Sequence, residues 1–310
     1  MDKTKKNKLT VAVGIAAYNA GKNIGRILDN IINQKEENYI LKEIIVHSDD
    51  SQDDTVMIAS GVKDKRIRVV DNKKRRGFAG TVKYLLGSIS TDILVILNDD
   101  IRIDGVEFIE KLIEPFLVEN GVGLTCGLIY PLSPKDNFIE KMAVSSANIY
   151  NHMRLDIKNP NNRFTYDGAA MALSRSFIES LEFLSNIADI GNVDGYLYYS
   201  CLSNGFKYRN APEAKFYFRA PSTLADYISR TSRNTAQSEI LKKTFGQLIT
   251  NSYKKPKLLF LRSYLREFVH NPVGCVFLLF IGVSTRLKAK KIAGRPNQKW
   301  DSVESTKALD

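Results

Sequence analysis

Carboxylates gather at two places in this chain, and each cluster directly follows an apolar run. In DILVILNDDIRID (92–104) five apolar residues, Ile93 to Leu97, stop at Asn98-Asp99-Asp100. In LKEIIVHSDDSQDDT (41–55) Asp49, Asp50, Asp53 and Asp54 fall within six residues. Adjacent carboxylates repel, and a hard divalent cation relieves that repulsion. Such an ion keeps several waters, borrows oxygens from a diphosphate, and needs one or two protein carboxylates. In an extended strand Asn98 and Asp100 would point one way and Asp99 the other. From these residues alone a solvated Asp/Asn turn is an equal reading, and Asp53 could simply cap the next helix. A third carboxylate, Asp194, opens a helical pattern, where a plain cap would look the same. Arg230 and Arg233, three apart in SRTSRN (229–234), could clamp a diphosphate.

The elements that must position these groups alternate in period. LTVAVGIAA (9–17), LKEIIVHS (41–48), IRVVD (67–71), DILVIL (92–97) and GVGLTCG (121–127) have strand composition. Between them lie helical patterns, the clearest in GKNIGRILDNIINQ, where Ile24, Ile27, Leu28, Ile31 and Ile32 share a face. Further helical patterns cover 53–61, 77–89 and 105–118. Alternation of this kind predicts an α/β fold with a mostly parallel sheet and helices on both faces, and ligands bind outside the carboxyl ends of such strands. From about 129 to 235 the alternation weakens into an α+β completion of the same domain, with a short apolar run at 169–174. Beyond 236 two helical stretches follow, then a polar tail from 294.

The 310 residues are 44% hydrophobic and carry a net charge of +11. From Lys254 onward the surplus is +8, which leaves +3 for the rest. Basicity confined to one end suits an anionic surface better than general nucleic-acid binding. The basic end also has few aromatics interleaved with its charges, so no nucleic-acid partner is expected. Cys126, Cys201 and Cys275 are far apart, as are His47, His152 and His270, so neither zinc spacing nor a disulfide framework is present and a reducing compartment is the default. The N-terminus has no apolar signal core. NPVGCVFLLFIGVST (271–285) is shorter than a membrane span and fits an interfacial helix first, a buried helix second.

The order AAYNAG (16–21), EIIVHSDDSQDDT (43–55), RRGFAGT (75–81), LVILNDD (94–100) resembles the inverting glycosyltransferases of family 2, which have the GT-A fold. The resemblance runs from residue 9 to about 235. It implies a Rossmann-like GT-A domain over 1–235, with a nucleotide-sugar half (9–128) and an acceptor half (129–235). A helical, basic and apolar extension would follow over 236–293 and a polar tail over 294–310. Carried over by position, it sets the donor nucleobase against Ala17, Tyr18 and Asp49, places Asn19 in the same nucleotide-sugar site, and completes the signature with Ser51 and Asp53. Ser48 and Asp50 stand where the family has Asp and Gly. Arg76 matches the Arg-Gly loop near the diphosphate. Asp99 faces the donor ribose or sugar, and Asp100 is the direct ligand of Mg²⁺ or Mn²⁺, while Asn98 departs from the usual Asp. Asp194 matches the general base, with Val193 in place of the preceding Glu. DGAAMALSR (167–175) matches the sugar and acceptor segment, where Gly168 allows close approach. Arg230 and Arg233 fall where processive members have Gln-x-x-Arg-Trp, and Asn234 in place of the Trp argues against a processive synthase.

The expected function is metal-dependent transfer, with inversion, from a nucleotide diphosphate sugar, UDP-linked first, to an acceptor hydroxyl. The basic apolar stretch after Lys254, with Trp300 near its end, suggests a peripheral enzyme on the cytoplasmic membrane face. There it would meet a lipid-linked or oligosaccharide acceptor in surface-polysaccharide synthesis; a dimer interface is the other use of such a stretch. Two alternatives stand beside this: a nucleotidyltransferase, for which YNAGKNIG is a poor triphosphate loop, and a catalytically silent binding protein, favoured by the departures at Asn98 and Val193. The absence of Gly-x-Gly-x-x-Gly after the first strand disfavours a dehydrogenase.

Overall fold

A computed structural model describes residues 8–182, 192–246, 248–249, 256–292, 304–307 and 309. The first strand, β1 (Leu9–Ala17), is flanked by β2 (Tyr39–Asp49) and β4 (Ile93–Asn98), and β3 (Ile67–Asn72) pairs with β2. All four run parallel. The sheet continues through β7 (Ala170–Ser174), β6 (Val122–Pro131), β8 (Lys207–Phe218) and β5 (Ile101–Ile103), in the order β3-β2-β1-β4-β7-β6-β8-β5. Only β7 and β5 run against the rest. The mostly parallel sheet expected from the alternation is therefore present.

Period-two strands divide the core into two layers. Val11, Val13 and Ile15 face one side, where they meet α1 (Ile24–Ile32) and α4 (Phe108–Val118) through Ile24, Leu28, Phe108 and Leu112. Ala12, Leu94 and Ile96 face the other, against α3 (Gly77–Gly87) and its Val82 and Leu85. Gly14 lies under α3, and a Cβ there would stand 2.7 Å from Leu85 Cδ2. That missing methyl lets α3 settle on β1. The short helix α2 (Thr55–Gly61) follows β2.

The helix expected to open at Asp194 is present, but other elements of the second half differ from the sequence expectation. An 18-residue helix, α5 (Phe138–Leu155), fills the region where the alternation weakens. After β7 come α6 (Arg175–Glu179) and α7 (Val193–Ser203), and α7 leads into β8, a strand not expected from its sequence. Pro212 interrupts β8, and the pairing with β6 jumps from Ala211 to Lys215 at a bulge. A proline and a bulge erase the clean alternation by which a strand is recognised.

The next helix, α8 (Leu224–Phe245), starts well before residue 236, so the expected boundary at 235 falls inside it. Helices α9 (Lys257–His270) and α10 (Pro272–Ile292) pack on α5 and α8. Met142, Tyr227 and Ile281 form the small core between them. The segment 271–285 thus lies in α10. No helix among the described residues is long and apolar enough to cross a membrane. The tail also departs from a solvated appendage: a turn at Glu304–Thr306 folds back, and Thr306, Lys307 and Leu309 are buried. Trp300 lies outside the described residues.

Candidate active site at the strand ends

Parallel β1, β2 and β4 end side by side, Ala17 beside Ser48 and Ala16 beside Asn98. Their loops are tied together by the acidic residues themselves. Asp53 accepts from the Gly21 N–H (2.8 Å) and from Thr55, so it joins the β1 and β2 loops as well as starting α2. Ser51 Oγ accepts from the Asn19 N–H (3.1 Å) and from Ser48 Oγ (2.9 Å). Asn19 has a positive φ of 49°, a conformation in which Asn is more at ease than most residues, and its Oδ1 accepts from the Gln52 N–H (2.9 Å). Ser48, which replaces a family Asp, therefore serves as a link in this loop network.

Asp49 is almost wholly buried, and its carboxylate binds the start of α3: the Arg76 N–H at 2.8 Å, the Gly77 N–H at 2.7 Å, and Asn72 Nδ2 at 3.1 Å. A carboxylate at a helix N-terminus satisfies orphan donors and complements the helix dipole. The Arg76 side chain contributes nothing to that bond; its backbone does. The neighbouring Arg75 lies over the Tyr18 ring, 3.9 Å from the centroid. Sequence matching singled out Arg76 because Arg precedes Gly in the family loop, and so missed Arg75.

At the end of β4 the chain leaves extended conformation, and Asp99 turns inward. Its Oδ2 accepts from the Tyr18 N–H (2.8 Å) and from the Lys307 ammonium (3.3 Å). Burial raises the Asp99 carboxyl to about 6, against the pull of Lys307 and with the Asp100 charge pushing the same way. Beside it, Asn98 Oδ1 is buried and has no hydrogen-bond partner among the described residues. None of the described residues hydrogen-bonds the half-exposed Asp100 carboxylate. Among the described residues no three His, Cys, Asp or Glu side chains form a metal cage. An orphaned amide oxygen next to an unengaged carboxylate fits a hard cation that takes most of its oxygens from water and ligand.

The segment 167–175 contains antiparallel β7. Ala170 pairs with Leu97, and the Asn98 N–H donates to the Ala169 carbonyl at 2.9 Å. This brings Gly168 beside Asn98-Asp99-Asp100. A Cβ on Gly168 would stand 2.4 Å from Asp194 Cγ, so the glycine backbone lies directly against that carboxyl group. Asn192, not Asp194, caps α7, its Oδ1 accepting from the Gly195 N–H at 2.7 Å. Asp194 is thereby released from the capping role that its position suggested. The turn carrying Gly168 is held from below by Cys126, whose thiol donates to the Asp167 carbonyl (2.9 Å) and accepts from the Asp167 N–H (3.1 Å). Burial pushes this thiol far above its ordinary pKa, so it stays a neutral brace. Nothing in the sequence distinguished Asn192 or Cys126.

Arg230 rests on the Phe218 ring at 4.6 Å, and Phe218 pairs with Ile101, the residue after Asp100. Arg230 therefore borders the same edge. Arg233 is on α8, but its side chain lies outside the described residues. Ala17, Tyr18, Asn19, Asp49, Ser51, Asp99, Asp100, Gly168 and Asp194 come together along the strand ends.

Residues 12–181 match the family model described as glycosyl transferase family 2, more than half of the chain. An uncharacterized glycosyltransferase of Haemophilus influenzae is 35% identical over 105 residues; the match covers 33% of this chain and 31% of that relative's length. Among solved structures, a mannosyltransferase from Pyrobaculum calidifontis in complex with GDP-Man and Mn²⁺ aligns with a TM-score of 0.58 at 16% identity, over 92% of this chain and 83% of that one. Glucosyl-3-phosphoglycerate synthase from Mycobacterium tuberculosis, in complex with Mn²⁺, UDP and phosphoglyceric acid, aligns with a TM-score of 0.54 at 19% identity, over 77% and 79%. At these identities the two structures speak to the GT-A fold, while the family model speaks to descent. The chain belongs to glycosyl transferase family 2.

Proposed function

We propose that this enzyme transfers a sugar from a nucleotide diphosphate sugar, UDP-linked as first candidate, to an acceptor hydroxyl with inversion at the anomeric carbon. The observation that carries the reading is the meeting of two carboxylate systems at one sheet edge. Asp99 and Asp100 follow β4, and Asp194 reaches the same edge through Gly168 and the β7 register. The complexes of the two structural neighbours, one with GDP-Man and Mn²⁺ and one with UDP and Mn²⁺, support a nucleotide-sugar donor and a divalent metal.

In this reading the donor lies along the ends of β1, β2 and β4, with its base near Ala17, Tyr18 and Asn19. The Asp49 and Ser51 bonds hold the surrounding loops, so these residues shape the pocket through the backbone. Asp100 holds Mg²⁺ or Mn²⁺, with Asn98 Oδ1 close at hand, and the ion when bound supplies Lewis-acid stabilisation of the departing diphosphate. Arg230, with Arg233 beyond it on α8, adds positive charge at that edge. Asp194 receives the proton of the acceptor hydroxyl as its oxygen attacks from the face opposite the diphosphate. One displacement suffices, and no covalent bond to the enzyme forms.

The acceptor is proposed to be a lipid-linked saccharide met at the cytoplasmic membrane face. Helices α9 and α10 leave Leu258, Leu261, Leu265, Val269, Leu279 and Phe280 exposed, an apolar surface of the kind that marks an interaction site. Lys257, Arg262, Arg266, Arg286 and Lys288 are exposed on the same two helices, whereas Glu267 is buried. Apolar side chains mixed with unopposed cations suit an anionic bilayer surface. The test is release of nucleoside diphosphate from a panel of nucleotide sugars with Mn²⁺. Turnover of one donor that stops in Asp194→Asn supports the reading, and no turnover of any donor by folded protein sinks it.

A further inference from the structure

The acidic end of the crevice already has an occupant. Lys307, 9% exposed, donates through its ammonium to the Tyr18 carbonyl and, at 3.3 Å, to Asp99 Oδ2. Nζ also lies 5.8 Å from the Tyr18 ring centroid. The segment around it is anchored at several points along the crevice. The Lys307 carbonyl accepts from Asn23 Nδ2 at 2.5 Å. Ser305 Oγ donates to Asp226 Oδ2 at 2.5 Å and accepts from the Ser222 N–H at 3.3 Å. The Leu309 carbonyl accepts from Arg219 Nη2 at 3.4 Å, and Leu309 is 2% exposed. Burying a lysine this deeply is unfavourable unless its ammonium is paired and hydrogen-bonded, and here it is both.

The two oxygens that hold the ammonium are a backbone carbonyl at the end of β1 and a carboxylate at the end of β4. Side by side they form a pair of acceptors, suited to the hydroxyl groups of a ribose or sugar. Asp99 is also the residue that the donor-binding reading turns toward those hydroxyls. Asp99 Oδ2 already accepts from the Tyr18 N–H as well as from Lys307, so a hydroxyl group approaching the same two oxygens competes with the ammonium for the lone pairs that remain and for its place. The ammonium also neutralises part of the negative charge on Asp99 that a hydroxyl donor would use.

We propose that residues 304–307, with Leu309, form a self-inhibitory strap: Lys307 occupies the position of the donor hydroxyl groups, so that nucleotide binding and strap docking compete with one another. This rests on the reading of the crevice as a nucleotide-sugar site. Because the binding-competent state is only the strap-released fraction, the apparent affinity for nucleotide is reduced by that fraction. Weakening the strap restores it.

The experiment titrates UDP and GDP calorimetrically, with Mn²⁺, into the full-length protein and into Lys307→Ala and Ser305→Ala. Hydrogen exchange at amides 304–307 is followed with and without nucleotide. The strap predicts binding about fivefold to thirtyfold tighter in Lys307→Ala, a smaller shift in the same direction in Ser305→Ala, and faster exchange at 304–307 when nucleotide is added. Equal affinity in all three proteins overturns the strap and leaves the donor site standing. Weaker binding in Lys307→Ala, with slower exchange, also overturns it and makes Lys307 a donor ligand. No binding by any of the three overturns the donor reading, and the strap with it.

Discussion

Gly168→Ala tests the placement of Asp194 without touching its chemistry. The added methyl carbon would begin 2.4 Å from Asp194 Cγ, 2.6 Å from its Cβ and 2.8 Å from Oδ2. Asp194 must retreat by about 1 Å to reach even a tight van der Waals separation. Loss of about 1 Å in the position of a reacting group costs on the order of 100-fold in rate. The fold should lose about 1–3 kcal/mol from overpacking. The donor half is not touched, so nucleotide affinity should stay within about threefold, well under about 1.4 kcal/mol. The assay pairs nucleotide release, as kcat and KM, with calorimetric binding and with a urea unfolding curve. The expected result is a fall of about 100-fold in kcat with binding retained, and a Gly168→Ala/Asp194→Asn double variant no slower than Asp194→Asn alone. Full turnover in a folded Gly168→Ala protein would refute the placement of the base. So would a double variant in which the two losses multiply.

Three other outcomes follow from the same structure. Glu140 and Arg219 form a buried pair at 3.0 Å, so Glu140→Ala, which strands the guanidinium, should cost about 3–5 kcal/mol of unfolding free energy in urea. His47 is buried beside Thr81 Oγ1 at 3.1 Å, and burial lowers its pKa below the ordinary 6.5. The unfolded chain therefore takes up its proton first as pH falls, and the stability from neutral His47 is present above pH 6.5 and lost as the pH drops through the lower folded value. Urea curves at falling pH should show a smaller decline for His47→Gln than for the parent, and identical declines would contradict the assignment. On the surface, the protein should sediment with anionic vesicles but not with phosphatidylcholine, and Arg262→Glu with Arg266→Glu should release it. Binding that ignores both lipid charge and the double substitution would point to a different use of the α9–α10 face.

The first half of the domain, 9–128, was legible in the sequence because its signals are local. β1, β2 and β4 are buried parallel strands, and such strands read as apolar runs. α1 shows its buried face in the spacing of Ile24, Ile27, Leu28 and Ile31. The second half hid its elements. β8 is broken by Pro212 and a bulge, β5 is only three residues long, and α5 buries polar groups such as Glu140, Asn151 and Arg154 that weaken its apolar pattern.

Within the site, the positions of the carboxylates were legible but their partners were not. Asp49 and Asp53 face backbone N–H groups in loops distant in sequence, at Arg76 and Gly77 for one and at Gly21 for the other. Backbone donors carry no mark in a sequence. The same holds for Asn192, which took the capping role suggested by the position of Asp194, and for Lys307, which meets Asp99 across 208 residues of chain. A polar tail looks like solvated chain until its partners are seen.

The central claim is that Asp100, at the end of β4, holds a divalent cation on which donor binding depends. Calorimetry of UDP and GDP against the parent protein and Asp100→Ala, each with Mn²⁺ and with a chelator, tests it most directly, with circular dichroism to show that both proteins are folded. The account predicts that Mn²⁺ tightens binding of one nucleotide to the parent by about tenfold or more, roughly 1.4 kcal/mol at least, and that Asp100→Ala loses this gain. Affinity indifferent to Mn²⁺ in the parent, or a Mn²⁺ gain that survives in Asp100→Ala, would contradict it.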